Sequence, residues 1–314
     1  MVIKERLRVG IALSGGGARG AAHIGVLKIL SKKLEITQLS GASAGAIIAA
    51  VFAAGKLRKM EKFLRKIKKN QVLNFFKPAN SVDGVFDSKK IEEFMRIFVG
   101  NLRIEELNIP IYIAASDIKK GRIIYFEKGD VAKVVSASCA IPVIFTPVKI
   151  NNMLLVDGGL LDNLPVKPIK KHSDITIGVD ATSRYETLGR VTKTFLRSVR
   201  SLSSRVNLLK RRLAQNPRMK TLERTRLINL VLNKITQMRT TQDLQENYTT
   251  ARIILKSLEY FDPTNNMGKP DFMIRPQIRI NNMAFHNSRL AIKPGEEAAK
   301  EFLKKNKLIK NSKT

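Results

Sequence analysis

The chain has 314 residues, with 57 Lys and Arg against 26 Asp and Glu for a formal charge of +31, and 44 % of its residues are hydrophobic. That balance supplies a sizeable core and excludes disordered, collagenous and multi-span membrane classes; the length suits one large domain or two ordinary ones. One cysteine, Cys139, forms no intramolecular disulfide, and the scattered His23, His172 and His286 lack metal-ligand spacing, so no structural zinc site is expected.

Met1 to Arg6 carries charges but no apolar stretch before a small-residue cleavage site, which reads as no secretory signal and a cytoplasmic chain. Leu7 to Leu13 is an apolar run that enters Ser14-Gly15-Gly16-Gly17-Ala18-Arg19-Gly20, and Ala22, Val26, Leu27 and Leu30 then follow helical spacing. Ile36 to Gly55 is uncharged for twenty residues, long enough to raise a membrane span. Its Thr37, Gln38, Ser40 and Ser43, with Gly41 and Gly45 in the middle, fit a short strand, a tight turn and a buried helix ended by Gly55 better. Two strand-loop-helix units in succession favour a parallel α/β sheet.

Further on, the pattern predicts a basic amphipathic helix over Lys56 to Asn70, a helix over Ser88 to Val99, and strands over Ile109 to Ala115 and Arg122 to Glu127. A helix over Val131 to Ser136, a proline-punctuated stretch from Ala140 to Pro147 and strands around Val148 to Val156 follow, with Asp174 to Val179 as the last strand of the sheet. Beyond Asp180 the composition shifts: residues 184–239 hold fifteen Lys and Arg against Glu186 and Glu223, in a pattern that reads as helical and is broken by Pro217. Asp271 to Pro276 reads as a short strand, and Lys293 to Glu297 opens a terminal helix.

Gly41-Ala42-Ser43-Ala44-Gly45 has the G-x-S-x-G form, in which flanking glycines let the backbone lift a serine onto a sharp strand-to-helix turn. The helix amino terminus behind Ser43 would stabilise developing negative charge there. The bland alternative is a Gly/Ser turn feeding a helix. In the glycine loop the missing side chains bare consecutive N–H groups to an anion. Gly15, Gly17 and Gly20 satisfy G-x-G-x-x-G literally, but the acidic residue a dinucleotide site wants after the next strand is absent, since Glu35 precedes that strand. An oxyanion hole is the favoured reading, because the serine turn follows so closely. Arg19 either places an anionic head group or braces the loop by a salt bridge.

A serine needs a base. Each histidine reads as a packed or solvated side chain, whereas Met153 to Val156 delivers Asp157 at a strand end, followed by Gly158 and Gly159 that permit close backbone approach. A Ser–Asp pair works only if burial raises the carboxyl pKa or the helix end lowers that of the serine, and Asp-Gly-Gly alone would be an ordinary turn.

Taken in order, the glycine loop with Arg19, the Gly-Ala-Ser-Ala-Gly turn, and Asp157-Gly158-Gly159 followed by Asn163-Leu164-Pro165-Val166 resemble the patatin-like phospholipase family of bacterial type. Ala137 to Pro142 with Phe145 and Pro147, and Ile177 to Asp180, add to the similarity, which covers residues 7–180 well and 229–304 loosely. The resemblance implies an α/β three-layer fold with a mainly parallel central sheet flanked by helices and a catalytic core over 7–180. The basic, mainly helical part over 181–314, expected to pack on the same domain, is read from composition, and its stretch from Arg184 to about Lys220 departs from the family pattern. The resemblance further implies a Ser43–Asp157 dyad without histidine and oxyanion donors from Gly15, Gly16, Gly17 and Ala18. Arg19, Gly20, Gly41, Gly45, Gly158 and Gly159 would shape the motifs. The activity implied is hydrolysis of membrane-lipid acyl esters, of phospholipase A or lysophospholipase type, with no metal and no cofactor.

The excess positive charge favours polyanionic partners. Lys56, Arg58, Lys59, Lys62, Arg65, Lys66, Lys68 and Lys69 interleave with Leu57, Met60, Phe63, Leu64 and Ile67, as in a helix lying on anionic lipid with its apolar side inserted, or in a solvated basic face over a packed apolar one. No specific nucleic-acid motif is present, so the expectation is an enzyme peripherally associated with the membrane. The contrasting possibility is a catalytically idle scaffold that binds anionic membrane or nucleic acid.

Overall fold

The structure, a computed structural model, describes residues 7–68, 71–72, 84–182 and 268–306. Strand β1 (Val9–Leu13) runs into the glycine loop, whose Gly17–Ala21 turn is a 3-10 helix, and helix α1 (Ala22–Leu30) follows. Strand β2 (Ile36–Ala42) and helix α2 (Ala44–Ala53) are separated by Ser43 alone, so the expected tight turn contracts to one residue. The uncharged twenty-residue run is thus a seven-residue strand followed by a ten-residue helix, and no described helix is long and apolar enough to cross a membrane. Helix α3 (Leu57–Lys66), strand β3 (Gly84–Phe86) and helix α4 (Lys89–Val99) come next.

Strands β4 (Ile111–Asp117) and β5 (Arg122–Phe126) form a hairpin, and helix α5 (Val131–Ser138) starts where the Asp130 carboxylate accepts the Lys133 N–H at 2.8 Å. Then come β6 (Val143–Phe145), β7 (Val148–Ile150), β8 (Met153–Asp157), β9 (Ile175–Val179), β10 (Phe272–Ile274) and helix α6 (Ile292–Lys305).

The main sheet has the order β10-β9-β1-β2-β4-β8-β7, with β5 also on β4. From β10 to β4 every pairing is parallel, whereas β5, β7 and β8 run antiparallel to their neighbours. Two expectations change. Strand β9 is not the sheet's last: it is buried from Thr176 to Val179, and β10 covers the edge it would otherwise expose. The stretch Ala140 to Pro147 is not wholly irregular either, because β6 within it pairs with β3 in a separate two-stranded sheet.

Alternation along β1 separates the layers. Val9, Ile11 and Leu13 join the core built with α1 and α2, while Ala12 faces Leu164, Val166 and Ile169 on the opposite side. The basic stretch over 184–239 lies outside the described residues. Within 268–306, β10 extends the sheet and α6 packs on α1.

One pairing pattern decides where the site forms. Strand β5 occupies Ile113 to Asp117 along one edge of β4. Strands β2 and β8 must therefore share the other edge, β2 opposite Ile111 to Ala114 and β8 opposite Ala115 to Asp117. They meet end to end, with Ala42 opposite Ala114 and Asp157 opposite Ala115.

Helices α1 and α6 cross at a backbone-to-backbone contact. A Cβ on Gly295 would lie 2.0 Å from the Ala22 carbonyl oxygen, and one on Gly25 equally close to that of Ile292. Helix propensity alone favours Gly295→Ala by about 1 kcal/mol, but forcing the helices apart costs roughly 1–3 kcal/mol. The substitution is expected to lower the urea midpoint; a raised midpoint would show that the helices are free to separate.

Candidate active site

Ser43 sits at the end of β2 with φ 52° and ψ −123°, a conformation that a non-glycine residue holds only under constraint. The constraint is visible on both sides. Its N–H donates to the Ser138 hydroxyl at 2.9 Å, and a Cβ on Gly45 would stand 2.2 Å from the Leu13 carbonyl oxygen, so only glycine lets α2 start this close to β1. The side chain is nearly buried, and its hydroxyl is near enough to the Asp157 carboxylate to favour the charged form of that group.

Asp157 ends β8, and its Oδ1 accepts the Gly159 N–H at 2.7 Å. Ser116 donates to the Asp157 carbonyl at 3.0 Å from the neighbouring strand. Burial pushes the Asp157 carboxyl up to about 6, against the lowering effect of the Ser43 hydroxyl and the Gly159 hydrogen bond. The carboxyl is thus far closer to neutrality than a free aspartate and still mostly ionised at pH 7. Cys139 is buried beside the pair; burial, followed by the Asp157 charge, drives its thiol well above the usual range, so it stays protonated.

The four N–H groups expected of the glycine loop divide into two kinds. That of Gly15 donates to the Asn163 carbonyl at 3.2 Å and that of Ala18 to the Asn282 carbonyl at 2.7 Å. Those of Gly16 and Gly17 meet no acceptor among the described residues, and Gly17 holds φ 56° with its Cα hard against the Asn282 carbonyl. The Ala44 N–H, first in α2, is likewise unengaged among the described residues, and Ala44 and Gly17 both line the cavity in front of Ser43. Sequence reasoning passed over Ala44, although the position after the serine of a G-x-S-x-G turn is the usual place for such a donor.

Arg19 is buried and spans the back of the loop. Its Nε donates to the Ala181 carbonyl at 2.9 Å, and its two terminal nitrogens to Ile280 at 3.1 Å and Thr182 at 3.2 Å. Of the two roles expected for it, the geometry is that of a brace, made through carbonyl acceptors. The segment Ile280 to Asn282 thereby fixes the loop from behind, a contact that no local sequence signal announces.

His23 is fully buried, its Nε2 lies 2.8 Å from the Ser14 carbonyl oxygen, and burial lowers its pKa to about 4. It is a neutral packed side chain tied to the loop backbone. His172 is exposed and His286 partly so.

The cavity before Ser43 measures about 170 Å³ and is lined almost wholly by apolar groups, among them Ile48, Met60, Phe63, Ile67, Phe94 and Phe145. Phe63 and Phe94, which line it, pack on each other and on Phe98 at centroid distances of 5.2–5.7 Å. The apolar face of α3 is therefore turned inward, with Met60 buried, instead of outward toward a bilayer. Its basic face, including Arg58, Lys62 and Lys66, remains exposed. The Lys28 ammonium binds Glu61 at 3.2 Å and Glu296 at 2.9 Å, tying α3 to α1 and α6.

Residues 11–169 match the family described as patatin-like phospholipase. An uncharacterized NTE family protein of Mycobacterium tuberculosis is 37 % identical over 174 residues, which is 55 % of this chain and 48 % of that protein. Lysophospholipase NTE1 of Coccidioides immitis is 31 % identical over 185 residues, 55 % of this chain and 11 % of that one. The chain thus spans about half the length of the mycobacterial relative it matches. Among solved structures, VipD from Legionella pneumophila superposes with a TM-score of 0.52 at 14 % identity, over 96 % of this chain and 67 % of that one, a likeness of fold.

The raised carboxyl has a consequence for stability. Between pH 3.8, the ordinary value, and about 6 the folded protein holds a proton on Asp157 that the unfolded chain has released. This contribution therefore falls as pH rises through that window and amounts to a cost of about 3 kcal/mol above it. Asp157→Asn is expected to unfold at higher urea than the parent at pH 7, with the difference vanishing below about pH 4. Equal midpoints at pH 7 would mean that the carboxyl is solvated.

Proposed function

The chain belongs to the patatin-like phospholipase family, and from that membership we propose that it is a serine acyl hydrolase acting on membrane lipids, of phospholipase A or lysophospholipase type. The observation that carries the reading is the strand register that sets a strained, nearly buried Ser43 beside Asp157, whose carboxyl is raised to about 6, at an apolar cavity. A carboxylate with that pKa is a competent base near neutral pH.

In the proposed reaction the acyl chain of the substrate lies in the cavity and its ester carbonyl stands over Ser43. Ser43 Oγ attacks the carbonyl carbon while its proton passes to Asp157. The N–H groups of Gly16, Gly17 and Ala44 receive the oxyanion of the tetrahedral intermediate. The ester C–O bond then breaks, and the departing alcohol takes the proton from Asp157. Water attacks the acyl-enzyme, gives one proton to Asp157 and releases the fatty acid as Ser43 regains its hydrogen. His23, neutral and bonded to Ser14, has no part in these steps.

Recruitment to anionic lipid is the second element of the proposal. It is supported by the formal charge of +31 and by the stripe of Arg58, Lys62 and Lys66 on the exposed face of α3, the helix that walls the cavity. Each such residue near an acidic bilayer adds about 1 kcal/mol of attraction.

Ser43→Ala and Asp157→Asn are each expected to lower hydrolysis of a soluble ester by three or more orders of magnitude while the circular dichroism spectrum is retained, because nucleophile and base act as a unit. Near-normal turnover in Asp157→Asn, or silence in His23→Ala with the fold intact, would overturn the dyad. A chain that turns over no ester at all would be an idle scaffold. Reversing Arg58, Lys62 and Lys66 to Glu should abolish sedimentation with phosphatidylglycerol vesicles yet spare the soluble ester. Equal binding to neutral and anionic vesicles at low and high salt would remove the recruitment role.

A further inference from the structure

Ser138 closes helix α5 and is fully buried. Its hydroxyl is committed in both directions: it donates to the Ala114 carbonyl at 2.6 Å and accepts the Ser43 N–H at 2.9 Å. Ala114 is the β4 residue opposite Ala42, and the next residue, Ala115, stands opposite Asp157. Ser138 therefore ties the backbone of the strained residue to the strand that also registers the carboxylate. Its one proton and an acceptor lone pair are both used, so neither a rotated hydroxyl nor an alanine can reproduce the link.

We propose that Ser138 is a positioning residue for acyl transfer at Ser43, holding the serine turn at the φ that aims Oγ at the substrate carbonyl and Asp157. The proposal rests on the hydrolase reading above. Without the hydroxyl the Ser43 N–H loses its buried acceptor. The turn then relaxes toward an ordinary backbone conformation, which moves Oγ without touching the acyl cavity. A displacement of that kind lowers the rate of attack and leaves substrate affinity alone.

The same helix supplies a matched control. Ser136 is also buried, and its hydroxyl donates to the Ser88 carbonyl at 2.7 Å, away from Ser43 and Asp157. Ser138→Ala and Ser136→Ala each remove one buried hydroxyl donor from α5, but only the first releases the Ser43 N–H. With a soluble p-nitrophenyl ester, at a temperature where both variants are folded, Ser138→Ala is expected to lose about 10- to 100-fold in kcat with KM within twofold, while Ser136→Ala keeps its kcat. In Ser138→Ala the acid limb of the rate profile is expected to move to higher pH, since displacing Ser43 Oγ removes an influence that lowers the Asp157 pKa, whereas in Ser136→Ala it stays in place. Should Ser138→Ala fail to fold, Ser138→Cys keeps the volume but offers only a weak acceptor, and is read the same way. Wild-type kcat in a folded Ser138 variant, or an equal fall in Ser136→Ala, overturns the positioning role while the hydrolase reading stands. A parent enzyme that hydrolyses no ester defeats that reading and the proposal together.

Discussion

Two strands end against each other on one edge of β4, and the candidate site is the place where they meet. Because β5 takes one edge from Ile113 to Asp117, β2 arriving from one direction and β8 from the other are forced into line on the opposite edge. Residues 114 positions apart in sequence, Ser43 and Asp157, become neighbours as a matter of hydrogen-bond register. A slip of one residue in either pairing would turn the side chain to the other face of the sheet. The fixed register brings a hydroxyl and a carboxyl into contact without any loop having to fold over them.

Around that junction the protein keeps two unfavourable arrangements. Ser43 holds a positive φ, a strain on the order of 1–3 kcal/mol, and Asp157 holds a carboxyl in a place where ionisation is costly. Buried hydroxyls from the surrounding strands and helices, Ser138 to the N–H of Ser43 and Ser116 to the carbonyl of Asp157, pin both. The glycine loop is fixed by the last part of the chain: Asn282 takes the Ala18 N–H, and Arg19 reaches Ile280. Bonding at the loop's ends leaves the middle N–H groups of Gly16 and Gly17 without an acceptor among the described residues, and Gly17 lines the cavity, as an anion bound there would require.

The sequence made the motifs and their order legible because each rests on local chemistry: glycines at a sharp turn, a serine between strand and helix, an aspartate at a strand end. The parallel run from β1 to β4 followed from strand-loop-helix alternation. What it left unread depends on contacts remote in sequence. Periodicity identified the apolar face of α3, but whether that face meets a bilayer or walls a cavity depends on Phe94, Phe145 and Ile48 arriving from other elements. Nothing near Ile280 or Asn282 marks them as partners of a loop some 260 residues earlier. Ser138 lies inside a stretch singled out for its resemblance, yet a buried serine in a helix is silent until its two partners are known. Likewise, which of four loop N–H groups are free is settled by acceptors from Asn163 and Asn282.

The central claim is that Asp157 takes the Ser43 proton as the serine attacks. The most direct measurement is the second-order rate at which a fluorophosphonate modifies Ser43, followed from pH 4 to 9 in the parent chain, in His23→Ala and in Asp157→Asn. The account predicts a rate that rises through a single ionisation near pH 6 in the parent and in His23→Ala, and a uniformly low rate in Asp157→Asn. A rate independent of pH, or a pH dependence that survives in Asp157→Asn and disappears in His23→Ala, would contradict it.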